Sequence, residues 1–377
     1  QRIRDFLRES LTPDLVAGMP EDEWGWSPEF SRRMGRAGLI GLAYPREYGG
    51  QGLGYIERLI YDEEMVLSQA PRGFHHTAER QMGPSIIAFG TDWQKGEFLP
   101  GIVRGEISFC IGYSEPGAGS DLAGLQTRAV RDGDDYVING TKVWTSQAHL
   151  QDYIWLAART DPEAPKHRGI SVLIVPLKDT PGLTIHPIVN MAGEHSFNQL
   201  FFDNVRVNKR YLVGEENRGW YVVANNLDFE RAGIERVYGY FPLFQEVVRY
   251  CRETRADGAT LWERPQVRAA LVERAIEFEV GKLLSYRTAW MLSQGQVPNK
   301  EASMAKVFGT EVNQRFASTA MQVLGHYGLL ARGDRFTPLG GRVARAWLRS
   351  FSLTIAAGTS EVQRNVIALR GLGLPRG

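Results

Sequence analysis

Cys110-Ile111-Gly112-Tyr113-Ser114-Glu115-Pro116-Gly117-Ala118-Gly119-Ser120-Asp121-Leu122-Ala123-Gly124 is the stretch on which the fold turns. Its small residues let backbone N–H groups approach a bound group closely, and successive N–H groups can form an anion-binding concavity. Ser114 and Ser120 add hydroxyls. A plain glycine turn would have the same composition. A dinucleotide fingerprint needs GxGxxG between a strand and a helix. Here the spacing is GxGxxxxG and a strand-like run follows, which excludes a Rossmann unit.

Working outward, the period is strand-like from about Gly105 to Gly214. Asp135–Ile138 and Thr141–Trp144 flank Asn139-Gly140, a pair that predicts a two-residue hairpin turn because both turn positions need positive φ. Tyr153 to Ala158, Ile170 to Pro176, Leu183 to Val189 and Asn198 to Val207 are further strand candidates, punctuated by Gly and Pro. The expectation is a β-sandwich or barrel of about 110 residues. Upstream the pattern is helical, broken by the Gly/Pro cluster Tyr44-Pro45-Arg46-Glu47-Tyr48-Gly49-Gly50-Gln51-Gly52. Downstream, Val267, Ala270, Leu271, Ala275 and Phe278 recur at helical spacing, Ala302 to Leu324 is a second long candidate, and Glu361 to Ile367 is the last. The expected domains are therefore 1–104, helical; 105–216, β; and 217–377, helical. Clustered runs rather than βαβ alternation again argue against a doubly wound fold.

Net charge is +1 with 23% charged residues, acidic and basic interleaved, so no basic stripe points to nucleic acid. Cys110 and Cys251 cannot make a disulfide framework, and a reducing compartment, the cytoplasm, is the simpler expectation. No apolar run approaches the ~20 residues of a membrane helix. The chain starts at Gln1 rather than Met, which leaves room for a removed targeting segment. His75-His76 lacks metal-ligand spacing and reads as a loop, the other histidines are scattered, and no metal site is expected. Cys110 lies on a strand-like run and reads as core.

Five motifs in order resemble the acyl-CoA dehydrogenase family: the Tyr48-Gly49-Gly50 loop, Tyr113 to Asp121, Asn139-Gly140-Thr141-Lys142-Val143-Trp144-Thr145-Ser146, Phe202-Asp203-Asn204-Val205-Arg206-Val207, and Gly358-Thr359-Ser360-Glu361-Val362-Gln363-Arg364. The resemblance implies a helical N-terminal domain, a β middle domain and a C-terminal four-helix bundle, with FAD between the middle and C-terminal domains. It implies that Tyr113, Ser114, Gly119 and Ser120 line the flavin and that Trp144, Thr145 and Ser146 lie close to it; Trp144 reads equally as a hairpin core residue. It further implies that a neighbouring subunit completes the site. Arg255 matches the arginine at the pyrophosphate, Gln322 to Gly325 a second contacting stretch, and Thr359 with Glu361 the final pair. Ala256-Asp257-Gly258 and His326 depart from the family pattern. A shared site implies a homodimer or homotetramer. The implied partners are an acyl-CoA substrate and an electron-transfer flavoprotein.

The reaction needs a carboxylate to take the α-proton of the thioester, with a pKa raised toward neutrality. Most members carry a Glu just before the Gly-Thr of the last motif, where this chain has Ala357. The isovaleryl-CoA dehydrogenases take the base from an earlier helix, and Glu230 in Leu227-Asp228-Phe229-Glu230-Arg231 matches that position. Gly233 and Gly239, inside a helical pattern, cost ~1 kcal/mol each and suggest a close approach nearby. Glu230 could equally belong to a solvated charged face. By resemblance Asp228 and Arg231, with Ser120, touch the CoA portion or brace the site. The Ala357 backbone N–H can still serve an oxyanion, and the small side chain leaves space for a branched or bulky acyl group. The expected activity is dehydrogenation to a trans-2-enoyl-CoA. A silent or half-active subunit of a hetero-oligomer, and a flavin oxidase or monooxygenase on the same scaffold, stay open.

Overall fold

The computed structural model describes residues 1–18, 25–231, 233–330 and 332–375, without the side chains of 17–18 and 227–231. Its helices are α1 (Arg2–Ser10), α2 (Pro13–Gly18), α3 (Pro28–Arg36), α4 (Tyr55–Leu67), α5 (Gly83–Phe89), α6 (Asp92–Val103), α7 (Gly219–Arg231), α8 (Glu235–Tyr238), α9 (Phe241–Glu253), α10 (Pro265–Ser293), α11 (Asn299–Leu324), α12 (Arg342–Leu353) and α13 (Ser360–Val366). Between α6 and α7 run β1 (Phe109–Gly112), β2 (Arg128–Asp132), β3 (Asp135–Ser146), β4 (Tyr153–Arg159), β5 (Ile170–Pro176), β6 (Leu183–Val189), β7 (His195–Asn208) and β8 (Leu212–Val213). The order is helices, strands, helices, as the patterning predicts. Two compact units result: Arg8–Leu53 with Pro71–Glu230, and Gln1–Leu7 with Gly54–Ala70 and Arg231–Gly377. The helices of the first hundred residues are thus shared out, α3, α5 and α6 with the strands and α4 with the C-terminal helices.

In the strand-bearing unit one mixed sheet has the order β6-β7-β3-β2-β4-β5-β8, with β1 beside β4. β2 meets β4 through the single pair Arg128 and Arg159. Across this narrow joint the two halves share one apolar cluster: Cys110, Ile154, Leu156, Leu173 and Val175 on one side, Tyr136, Ile138, Leu200 and Phe202 on the other. That is the sandwich-like packing expected of the β domain. The alternate residues Trp155, Ala157, Val172 and Ile174 join Met82, Ile86, Phe98 and Ile102 in a second core. β4 and β5 are buried on both faces, which is why Ile170 to Val175 reads as a near-continuous apolar run.

Asn139-Gly140 is not the hairpin turn. β3 runs straight through it, and the two-residue turn lies at Gly133-Asp134, joining Asp132 to Asp135. Gly133 has φ 63°, as such a turn requires. The pairing of β3 with β7 slips between Ile138 and Gly140. Asn139 Oδ1 accepts from the Asn204 amide at 2.9 Å, and Gly140 stands so close to Thr127 that a Cβ would come within 2.6 Å of its hydroxyl. The motif is used for a close crossing of chains inside the sheet. His75 lies in the turn that leads into a helix beginning at His76, and it is buried there, with Nδ1 2.8 Å from Ser31 Oγ.

In the other unit, α9 to α12 form the expected four-helix bundle. Phe244, Phe278 and Phe316 meet at its centre with ring centroids 5.4, 5.7 and 5.8 Å apart, and α12 adds Val343 and Ala346 to the same core. Each buried ring contributes ~1.5–3 kcal/mol. Gly233 and Gly239 do not lie inside a helix; they fall in the breaks on either side of α8. The glycines that permit a close approach are Gly281 on α10 and Gly309 on α11, where an added Cβ would meet the Val237 methyls at 2.5 and 2.6 Å. α8 thus drives Val237 between the two longest helices.

Gly309→Ala should therefore lower stability by ~1–3 kcal/mol, more than a helix-favouring change on an exposed face could. In a Val237→Ala background most of that loss should vanish. Urea unfolding of the four proteins measures it, and an equal cost in both backgrounds would show that Val237 is not the obstacle.

Candidate active site

The glycine-rich stretch leaves β1 and turns at once. Glu115 N donates to Ala118 O at 2.9 Å and Ala118 N to Glu115 O at 3.0 Å, closing a two-residue turn at Pro116-Gly117. Val143 N donates to Ser114 O at 2.9 Å, tying the loop to β3. Beneath it lies a buried ion pair. Lys142 is fully buried, with Nζ 2.8 Å from Glu115 Oε1 and donating to Tyr113 O at 3.0 Å. The same carboxylate accepts from Gln126 N at 2.6 Å and Thr127 N at 2.9 Å. Burial alone would raise the Glu115 carboxyl, but the Lys142 ammonium and these donors outweigh it and hold it below the ordinary range. Burial pulls Lys142 down to about 8, against the pull of Glu115. At 2.8 Å the two form a buried ion pair. Sequence reasoning missed this pair; the only signal was an acidic residue inside a small-residue loop and a lysine at an inward strand position.

Above the pair, Gly117 and Gly119 face open space: no atom lies within 4 Å of an added Cβ. Neither has positive φ. Folding thus makes no use of their lack of a side chain, whereas close approach of a ligand would. Ser120 is exposed beside Asp121, which pairs with Lys166. Tyr113 is buried at the base of the loop.

Trp144 is not a core residue. The β3–β7 register slips between Lys142 and Thr145, a bulge in β3, and Trp144 there takes φ 59° with 58% of its surface exposed. A bulky side chain in the left-handed region is an outlier that needs an external reason, and bulges of this kind re-aim a side chain. The ring rests edge-on against Phe197, centroids 5.9 Å apart. Ser146 is exposed; Thr145 is fully buried, and its Oγ1 has no hydrogen-bond partner among the described residues. Asn198 Nδ2 donates to Thr145 O at 3.0 Å, and Asn198 Oδ1 lies 2.7 Å from His195 Nε2, whose ring stacks on His149. An exposed aromatic plane, an open backbone cradle and hydroxyls side by side fit a flat, polar-edged group such as a flavin.

In the other unit, Arg255 stands on a small hairpin of β9 (Arg255–Ala256) and β10 (Ala259–Thr260). Asp257 and Gly258, the residues that depart from the family, are its turn, with φ 56° and 85°. Arg255 is exposed and donates to Gly258 O at 2.6 Å. Gln322 is exposed near the end of α11, and Gly325 beyond it has φ 55° with open space where a Cβ would stand. Thr359 caps α13, accepting from Val362 N at 3.2 Å. Glu361 is exposed, and its carboxyl is held below the ordinary range by its own backbone amide and the Thr359 hydroxyl. Ala357 has φ 55°, and its amide has no acceptor among the described residues. α7 carries Asp228, Glu230 and Arg231, whose side chains lie outside the described residues.

Three family models span nearly the whole chain: the acyl-CoA dehydrogenase N-terminal domain at residues 1–106, middle domain at 110–205 and C-terminal domain at 217–372. The chain belongs to the acyl-CoA dehydrogenase family, whose members are flavoproteins, and is an oxidoreductase acting on acyl-CoA. It is 43% identical over 392 residues to acyl-CoA dehydrogenase FadE26 of Mycobacterium tuberculosis, a match covering 100% of this chain and 96% of that protein. Among solved structures it resembles the ChsE4–ChsE5 complex from Mycobacterium tuberculosis (TM-score 0.89, 41% identity, 100% of this chain and 96% of that one). It also resembles the Tcur3481–Tcur3483 steroid ACAD (TM-score 0.90, 34% identity, 100% and 96%). Among the described residues no helix is long and apolar enough to cross a membrane, and no cluster could hold a metal ion.

Lys142→Met should cost ~3–5 kcal/mol at neutral pH, because it strands a buried carboxylate. A carboxyl depressed below 4.5 adds stability that is present above that pH and lost as pH falls through its folded value. Denaturation of the variant should therefore show a shallower fall in stability between neutral pH and the acid range. An unchanged acid limb would mean that Lys142 does not hold Glu115 low.

Proposed function

We propose that the chain is an FAD-dependent acyl-CoA dehydrogenase that converts an acyl-CoA thioester to the trans-2-enoyl-CoA. When bound, the flavin supplies the acceptor for the β-hydride. Tyr113, Ser114, Gly119, Ser120, Trp144, Thr145 and Ser146 hold it on the middle domain, a neighbouring subunit completes the site through Arg255 and the stretch Gln322 to Gly325, and Thr359 with Glu361 is the final pair. Asp228, Arg231 and Ser120 hold the CoA portion. The domains are 1–104, 105–216 and 217–377, and the oxidised state is restored by an electron-transfer flavoprotein.

Glu230 removes the α-proton. What supports it over a solvated face is the spacing along α7. Gly219, Val222, Val223 and Asn226 form its buried stripe, and Gly219 sits on the Ser171 backbone, where a Cβ would approach within 2.7 Å. Positions 219 and 230 are about three helical turns apart. The observation that carries the whole proposal is Ala357. It takes a left-handed conformation an alanine does not favour, with its amide unengaged among the described residues, where a carboxylate is usual. The N–H donates to the thioester oxygen as negative charge develops there. The missing carboxylate leaves room beside the α-carbon, and together with the likeness to a structure described as a steroid ACAD this favours a bulky, branched or polycyclic acyl group.

One similar structure is a complex of two named chains. With Asp257, Gly258 and His326 departing from the family pattern, that favours assembly with a related chain as the second proposal, beside a homodimer or homotetramer.

Anaerobic titration of the purified yellow protein with straight, branched and polycyclic acyl-CoAs tests the activity. Bleaching of the oxidised band by a bulky thioester is the expected result. Glu230→Gln should slow that bleaching by ~10²–10⁴-fold with flavin still bound; indifference to the substitution would make the chain a silent subunit.

A further inference from the structure

Two consecutive residues where the last motif begins are left-handed: Ala357, just before it, at φ 55° and Gly358 at φ 84°. For Gly358 this is free; for Ala357 its Cβ makes it unfavourable. Something in the fold must hold the alanine there.

The turn is fixed from both ends. On the N-terminal side, Ile355 N and Ala356 N donate to Ser352 O at 3.1 and 2.9 Å, anchoring the chain to the end of α12. On the C-terminal side, Ser360 N donates to Thr354 O at 2.9 Å and Thr359 caps α13. Between them the carbonyl of Ala357 is gripped by a side chain. Gln363 is fully buried one turn into α13, and its Nε2 donates to Ala357 O at 3.2 Å. The Gln363 main-chain amide donates to Thr359 O at 2.9 Å, so its own position is set by the helix it belongs to. Gly358 packs against the carboxamide so closely that any Cβ there would strike its nitrogen. The carboxamide oxygen of Gln363 has no partner among the described residues. An unsatisfied buried acceptor is unfavourable, so the fold tolerates it in order to turn the amide nitrogen toward Ala357 O.

With the Ala356 amide anchored on one side and the Ala357 carbonyl held on the other, the only torsions left to aim the Ala357 N–H are those that the left-handed turn fixes. We propose that Gln363 is a positioning residue: its carboxamide clamps the Ala357 carbonyl and so directs the Ala357 N–H at the thioester oxygen. The role rests on the oxyanion function proposed for that N–H. A chain that has given up its carboxylate at this position depends on the backbone there for catalysis, and the clamp replaces what a larger, better-anchored side chain would do.

A 3-thia-acyl-CoA isolates the step. Its sulfur acidifies the α-C–H and takes the place of the β-carbon, so proton removal stops at the enolate, which gives a long-wavelength charge-transfer band beside oxidised flavin. In Gln363→Met the pH midpoint of that band should rise by about one unit, a tenfold loss of enolate at fixed pH, with the dissociation constant of the analogue within about threefold of wild type. In the same variant, without thioester, amide hydrogen exchange across residues 356–359 should accelerate. Gln363→Glu serves as the second variant: its protonated carboxyl can donate to Ala357 O and its carboxylate cannot, so slow exchange should return only in acid. A wild-type band whose midpoint and exchange are unchanged in Gln363→Met overturns the clamp alone. Absence of the band in wild-type protein overturns the oxyanion site, and this role with it.

Discussion

A lysine ammonium with no exposure at all survives in this fold because a carboxylate lies 2.8 Å away and a main-chain carbonyl 3.0 Å away. Neither charge is tolerable without the other, since an unpaired buried ion costs several kcal/mol. The consequence is geometric. Lys142 belongs to β3 and Glu115 to the loop after β1, so the pair locks the loop to the strand, and the carboxylate's bonds to Gln126 and Thr127 lock both to the start of β2. Three segments between Glu115 and Lys142 are tied into one floor.

The residues proposed to meet the flavin from the middle domain flank that floor. The turn at Pro116-Gly117 exposes backbone with open space above Gly119. Two residues past Lys142, the bulge turns Trp144 outward. Anchoring and display are divided between neighbouring residues: Lys142 and Thr145 face in, Trp144 and Ser146 face out. The bulge breaks the simple alternation of a strand at the point where a large ring has to stand on the surface.

The C-terminal helices solve a different problem with the same economy. Gly281 and Gly309 weaken α10 and α11 locally, and the gap they leave admits Val237. That brings the short α8, and the chain breaks around it, onto the bundle core. Mid-helix glycines do mark a close approach here, on the receiving helices rather than on the segment that approaches.

The order of helices, strands and helices, the strand positions from Tyr153 to Val207 and the two long C-terminal helices were legible in the amino-acid sequence, because hydrophobic periodicity is a local property and survives into the fold. So was the family, because its five motifs follow one another in order along the chain. Three things were not legible. The Asn139-Gly140 pair has the composition of a turn but the environment of a strand, and only β7 on the far side decides which wins. Lys142 and Glu115 look like ordinary surface charges, since nothing local says that they face each other. Gly233 and Gly239 look like helix interruptions with a purpose, while Gly281 and Gly309 pass unnoticed in longer periodic runs. In each case local chemistry was compatible with more than one answer. The choice was made by a partner distant in sequence, through a buried charge, a strand register or a Cβ clash that exists only once the chain has folded.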